Sequence, residues 1–339
     1  DLYFDSPVED TVTLACLRGT WFGGLLMKLL RHQFNWNYEN DIVRVNEEVL
    51  PWLEKNHAQR FFLYVHYIDP HIPYDPPARY REEFAQDHGF ALFNERKRAA
   101  GIDLYDGEIR YSDDGLAELV AKLRALGVWE NTLFVLTSDH GEEFFEHGVL
   151  GHGFSLYQEV VNVPLVFHGP GVPAGQTFAE PVQIVDLAAT VLALAGTDVM
   201  EFGDGKSFHR ALLALAPPPS ATHYLESEFG QDDAEPRAFV FNGVRQGQWK
   251  LVLTEKNEFF PPQDPRNGRE ALYDLATDPA ERRNLFREER HQALVHDLLA
   301  RLRVHAQFLQ EHGFRNVPPA ALTPEVEAEL KALGYIGGQ

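Results

Sequence analysis

TLFVLTSDHGEEFFEHGVLGHGFSLYQEVVNVPLVFHGP, residues 132–170, decides the fold. It opens on an apolar, β-branched run, Leu133-Phe134-Val135-Leu136, that reads as a buried strand. The run stops at Ser138-Asp139-His140-Gly141-Glu142, where a carboxylate and an imidazole stand side by side and a glycine turns the chain away. In α/β sheets the C-terminal ends of strands are where ligands bind. His152 follows twelve residues after His140, flanked by Gly151 and Gly153, so its ring sits where the backbone is free to bend. A second buried strand, Val163–Phe167, comes next.

Upstream, Asn40 or Asp41 is placed to cap a helix with apolar positions Ile42, Val45, Val49, Leu50 and Leu53. Phe61–Val65 reads as another buried strand, running into a proline-rich loop, His66–Pro77. The spacing of Ile102, Tyr105, Ile109, Leu116, Leu119, Leu123 and Leu126 predicts an amphipathic helix over 102–126. Downstream, Asp186 is placed to cap a helix that runs through Leu194 and ends at Gly196. Strands alternating with helices argue for a mostly parallel sheet with helices on both faces.

After about residue 215 the pattern changes. Ala216-Pro217-Pro218-Pro219-Ser220 reads as a linker. Short strands at Thr222–Glu226, Ala238–Phe241, Trp249–Leu253 and Ala271–Leu275 predict a small antiparallel sheet, with a helix near 287–309 to pack on it. The expected division is therefore 1–215 as the α/β domain, 216–312 as the antiparallel subdomain and 313–339 as a docked tail.

Composition excludes some functions. The 339 residues carry a net charge of −21 and no basic block, which argues against nucleic-acid binding. The same field repels ester anions, so an anion site has to be made locally positive. The single cysteine, Cys16, allows no internal disulfide and leaves the compartment open. The apolar run Trp21–Leu30 is far short of the roughly 18 residues of a membrane span. No signal peptide is visible, and a chain beginning Asp1-Leu2-Tyr3 reads as processed or internal.

Several segments, in order, resemble the type I sulfatase family of the alkaline phosphatase superfamily. They are FFLYVHYIDPHIPY (61–74), YDGEIRYSDDGLAELV (105–120), LFVLTSDHGE (133–142), GHGFSLYQEVVNVPLVFHGPG (151–171), VRQGQWKLV (244–252) and LYDLATDPAERRNL (272–285). The resemblance implies an alkaline phosphatase-like α/β fold and a metal-dependent hydrolase of sulfate esters. It implies a sulfated small molecule or glycan as substrate, and a periplasmic or secreted location. A phosphoester hydrolase or transferase of the same superfamily, or an inactive binding protein on the same scaffold, are the alternatives. At the front the resemblance stops. Cys16 lies in Leu14-Ala15-Cys16-Leu17-Arg18, without the proline of the family's nucleophile motif, so formylglycine is not encoded in this chain. The expectation is a C-terminal piece whose missing N-terminal segment supplies the nucleophile and further metal ligands.

The site residues follow. Asp139 and His140 are the metal candidates; calcium is the family's usual metal, while a carboxylate with an imidazole suits Mn²⁺ or Zn²⁺. His71 is the counterpart of a family histidine that contacts the ester anion, in a loop stiffened by prolines at 70, 73, 76 and 77. His152 stands where the family commonly has an anion-binding lysine. Glu142, Glu143, Glu146 and His147 read as a solvated face, with Glu142 also placed to support the metal from behind. Lys250 reads as a strand surface residue, and Asp274 and Asp278 as turn and cap residues. His71, Asp139, His140 and His152 are expected to converge on one cleft.

Overall fold

In the computed structural model the residues described are 42–86, 93–197, 205–215, 221–229, 239–254 and 269–312. Cys16, the linker at 216–220 and the tail at 313–339 lie outside them. In chain order come helices α1 (Ile42–Asn56), α2 (Ala78–Phe84) and α3 (Phe93–Ala125). Short elements follow: β1 (Phe134–Thr137), β2 (Glu143–Phe144), β3 (Leu150–Gly151), α4 (Gln158–Val161) and β4 (Leu165–His168). Then come α5 (Leu187–Leu194), α6 (His209–Leu212), strands β5 (Thr222–Phe229), β6 (Phe239–Gln246), β7 (Trp249–Thr254) and β8 (Glu270–Asp274), and α7 (Gln292–His312). Among the described residues no helix is long and apolar enough to cross a membrane. The chain divides into two compact units: residues up to Thr132 with Glu143–Gly151, and Leu133–Glu142 with His152 onward.

In the first unit α1 lies against α3. Gly115 makes this approach possible, since a Cβ there would sit 2.5 Å from Ile42 Cγ1. Asn46, 1% exposed, donates to the Gly115 carbonyl at 2.9 Å and accepts from the Tyr67 hydroxyl at 2.9 Å. The start of α1 is capped from a distance: the Ile42 N–H donates to Asp69 Oδ2 at 2.9 Å. The long helix begins earlier than predicted, and the front of its buried face differs. Leu104 and Glu108 are buried, whereas Ile109 is 44% exposed. Glu108 goes inside because its Oε1 accepts the Asp75 N–H, which anchors the proline-rich loop. Tyr74, Leu104 and Phe144 form a core cluster beside it.

The segment Phe61–Val65 is not a strand, and Phe62 and Tyr64 are 83% and 76% exposed. A strand is defined by its ladder, and no ladder forms on this segment among the described residues. β1 and β4, expected as buried strands, are only half-buried and pair antiparallel, Phe134 opposite His168 and Thr137 opposite Leu165. All described ladders are antiparallel.

The second unit holds the predicted C-terminal sheet, in the order β5-β6-β7-β8. Its alternation places Val244, Leu251 and Leu272 on one face, where Val295, Leu298 and Leu302 of α7 pack against them. Each fully buried leucine contributes about 1.5–3 kcal/mol. Asp274 accepts the Ala276 N–H, and Asp278 accepts the N–H groups of Arg282 and Arg283, the turn and cap roles expected of them. Lys250 overturns its surface assignment. Its side chain is 0% exposed and its Nζ lies 2.8 Å from Glu281 Oε1. A sheet strand under a loop is covered on both faces, so alternation alone does not send a lysine outward.

Candidate functional site

The site loop begins where β1 ends. Thr137 donates its hydroxyl to the Pro164 carbonyl at 3.0 Å, tying the strand end to the start of β4. Side chains then build the turn: the Ser138 hydroxyl donates to the His140 carbonyl at 2.7 Å, and the His140 N–H donates to Asp139 Oδ1 at 2.9 Å. Gly141 donates its N–H to the Val160 carbonyl of α4 at 2.7 Å. Only glycine fits there, because a Cβ would lie 2.1 Å from the Glu159 carbonyl oxygen.

His140, Glu142 and His152 come together in the second unit, with ligand atoms within 4.8 Å of one another. Among the described residues this is the one such group of three or more donors. The glycines beside His152 take positive φ, +92° at Gly151 and +85° at Gly153. The Ser227 hydroxyl holds the Gly153 carbonyl at 3.3 Å. His152 Nδ1 donates to Glu142 Oε1 at 2.8 Å, and the His140 and His152 rings stack with centroids 3.8 Å apart and planes at 28°. His140 Nδ1 contacts the Gly141 carbonyl at 3.1 Å. A carbonyl only accepts, so Nδ1 carries the hydrogen and Nε2 is the acceptor nitrogen of that ring.

The predicted metal pair is adjacent, with Asp139 Oδ2 3.7 Å from His140 Nε2. Two donors each about 2.1 Å from one ion stand up to about 4.2 Å apart, so this separation fits a shared ion. Glu142 departs from the expected solvated face: its side chain is 4% exposed, and its Oε2 is buried without a hydrogen-bond partner. An orphaned buried acceptor costs about 1–3 kcal/mol, and a cation would satisfy it. Glu143 is buried as well, and Glu146 is paired with Arg98 at 2.9 Å. The Arg98 guanidinium helps to hold the Glu146 carboxyl below its ordinary range, against the opposing effect of burial. Asp139 and Glu142 place two carboxylates beside the two rings, a donor set of the kind that suits a divalent metal.

His71 belongs to the first unit. Its N–H donates to the Ile68 carbonyl at 2.9 Å and its Nδ1 contacts the Ile72 carbonyl at 2.6 Å, which fixes ring and tautomer. Asp69, two residues before His71, caps α1. What the sequence undervalued is Glu142. Its one signal was position, two residues beyond His140 at a strand end.

Residues 8–197 match the model of the family described as Sulfatase, and residues 145–307 match N-sulphoglucosamine sulphohydrolase, C-terminal. The arylsulfatase K of Mus musculus is 31% identical over 186 residues, 52% of this chain and 31% of that protein. The chain thus spans about a third of the length of such relatives. Among solved structures, the phosphonate monoester hydrolase of Agrobacterium radiobacter superposes with a TM-score of 0.62 at 22% identity, over 76% of this chain and 59% of that one. A second, a protein in complex with its substrate D-glucosamine-2-N,6-O-disulfate, gives 0.54 at 26% identity, over 69% of this chain and 45% of that one. These neighbours give the fold as alkaline phosphatase-like α/β, carrying the small antiparallel C-terminal sheet. With more than half of its residues matched by one family model, the chain belongs to the sulfatase family.

Proposed function

We propose that this chain is part of an enzyme that hydrolyses sulfate esters, and that the loop after β1 carries the metal and anion half of its active site. The observation that carries this reading is the cluster of His140, Glu142 and His152 at a strand's C-terminal end, with one buried carboxylate oxygen unsatisfied. Asp139 and His140 hold a divalent ion, and Glu142 lies close enough to add a donor. Nitrogen in the donor set favours Mn²⁺ or Zn²⁺, while calcium is the metal the family resemblance implies. Bound there, the ion supplies Lewis-acid polarisation of the ester's non-bridging oxygens.

The stacked rings separate the roles of the two histidines. Imidazole lone pairs lie in the ring plane, so rings tilted by only 28° aim side by side rather than at one point. His140 is then the ligand, and His152 is the donor to the ester anion, held in place by Glu142 through Nδ1. For His71 the resemblance alone implies an anion-contacting role. The nucleophile is assigned to none of the described residues. A sulfated sugar is the favoured substrate class, since one relative's structure contains D-glucosamine-2-N,6-O-disulfate and one matched model is that of an N-sulphoglucosamine sulphohydrolase.

The test uses the complete protein that contains this chain. kcat/KM is compared for an aryl sulfate, a sulfated glucosamine and an aryl phosphate, with metal stripped and restored. Metal-dependent turnover of the sulfates, well above that of the phosphate, is expected. Preference for the phosphate would favour a phosphoester hydrolase. No turnover of any ester, with metal bound, would favour an inactive scaffold.

A further inference from the structure

We propose that Lys250 and Glu281 are positioning residues for the site loop, acting on it through the short helix α4. The two form an ion pair of 2.8 Å with both side chains 0% exposed. Both ends of the pair hold the first residue of α4. Glu281 Oε2 accepts the Gln158 N–H at 2.7 Å, and Lys250 Nζ donates to Gln158 Oε1 at 3.4 Å. Two residues further along, the Val160 carbonyl accepts the Gly141 N–H at 2.7 Å. Gly141 stands between His140 and Glu142. The path from the C-terminal sheet to the site loop is therefore short and made of hydrogen bonds.

Three features make this a clamp rather than incidental packing. A four-residue helix has no cooperative stability of its own, so contacts from outside set its position. The contact at its N-terminus is a carboxylate on an otherwise orphaned N–H, the strongest single hold available there. Glu281 reaches it with a backbone φ of +51°, a left-handed conformation that is unfavourable for a glutamate and persists only when its surroundings impose it.

Stability alone does not explain a charged pair at this place. Replacing a buried ion pair by apolar residues of similar volume is often neutral or stabilising. What an apolar pair lacks is an acceptor for the Gln158 N–H. The clearance at Gly141 makes that hold consequential: the Glu159 carbonyl sits where a Cβ would be, so any drift of α4 is felt directly by the loop.

The functional consequence rests on the site proposed above; the clamp itself does not, and the experiment separates them. Amide hydrogen exchange is measured over 136–146 and 156–162 in the 339-residue chain, together with its melting temperature and its Zn²⁺ affinity by calorimetry. The double variant Lys250→Met/Glu281→Met removes the charges and the acceptor. Lys250→Met/Glu281→Gln removes the charges and keeps an acceptor. In the first, the Gly141 amide is expected to exchange at least tenfold faster while the melting temperature stays close to that of the parent, and Zn²⁺ affinity is expected to fall about 10–100-fold. In the second, exchange and affinity should return to within about threefold of the parent, a rescue that lost packing would not produce.

Unchanged Gly141 exchange in the Met/Met variant overturns the clamp. So does acceleration spread evenly over the chain in step with a lower melting temperature. Should the parent bind no Zn²⁺ while Gly141 still responds, the metal site fails and the clamp stands.

Discussion

Gly141→Ala is the sharpest single perturbation of the site loop. The new Cβ would lie 2.1 Å from the Glu159 carbonyl oxygen, 3.2 Å from its carbon and 3.6 Å from Val160 Cα. Carbon and carbonyl oxygen normally approach no closer than about 3.3 Å, so more than an ångström must be found. The obstacle is main chain, and no rotamer change relieves it. Separating the segments also stretches the 2.7 Å bond from the Gly141 N–H to the Val160 carbonyl beyond reach. Losing that bond costs about 0.5–1.5 kcal/mol, and about 1–3 kcal/mol if its groups stay buried without partners. Loss of glycine's freedom in the unfolded chain offsets about 0.4–1 kcal/mol. Forcing the two backbones apart adds about 1–3 kcal/mol, so a net destabilisation of about 2–3 kcal/mol is expected.

Gly127→Ala is the control. Its φ is +71° but nothing lies within 4 Å of a Cβ there, so it reports backbone strain without a clash, about 1–2 kcal/mol. Urea midpoints at unchanged slope measure both variants, and calorimetry measures Zn²⁺ affinity. Gly141→Ala should lose at least tenfold in affinity and Gly127→Ala none. If Gly141→Ala is as stable as the parent and binds metal equally well, the close approach of α4 to the loop is not real, and the route to His140 through α4 falls with it.

Glu142→Gln should weaken Zn²⁺ binding by about 10–100-fold at little cost in melting temperature; unchanged affinity would return Glu142 to a purely structural role. His152→Ala in the complete enzyme should cost about 10²–10³ in turnover with metal content unchanged, and His152→Lys should recover much of it; an Ala variant as active as the parent would make His152 a bystander. Burial pushes the Glu108 carboxyl well above the ordinary glutamate range, with the bond from the Asp75 N–H opposing the rise and the charges of Asp69 and Asp75 adding to it. A carboxyl raised in the folded state binds its proton more tightly there than when unfolded, so stability falls as pH climbs from about 4.5 through the folded value. Glu108→Gln cannot lose a proton, so its melting temperature relative to the parent should rise from pH 4 to pH 8; a flat difference would refute the buried, proton-holding carboxyl.

Patterning found the elements that alternation or helical spacing defines by themselves. The four C-terminal strands, α7 and α5 lie where their apolar residues place them, because each buries one face and the sequence records that face. Phe61–Val65 failed for the opposite reason. Its residues favour extended chain, but a strand also needs a neighbour, and a neighbour is not a property of the segment. The front of α3 was misjudged at Ile109 and Glu108, since an outward isoleucine and an inward glutamate invert the pattern that defines the face.

Charge was where sequence failed most consistently. Glu142, Glu281, Lys250 and Glu108 are all buried, and each has at least one polar partner ten or more residues away in sequence. Spacing rules give such residues to solvent, because the cost of burying a charge is local while its compensation is not. The exceptions are not scattered with respect to the expected site. Glu108 accepts the Asp75 N–H and so fixes the loop that carries His71. Lys250 and Glu281 fix α4, which holds Gly141 beside His140, and Glu142 fixes His152. Asp139 and His140 stood out in the sequence as metal candidates, and Gly141 as a turn. The side chains that hold them still were not, since a positioning residue is recognised by what it touches. A chain that breaks the burial rule at the supports of the His71 loop and, separately, of the loop proposed to hold a metal is giving up stability for fixed geometry, which is what a binding site needs from its scaffold.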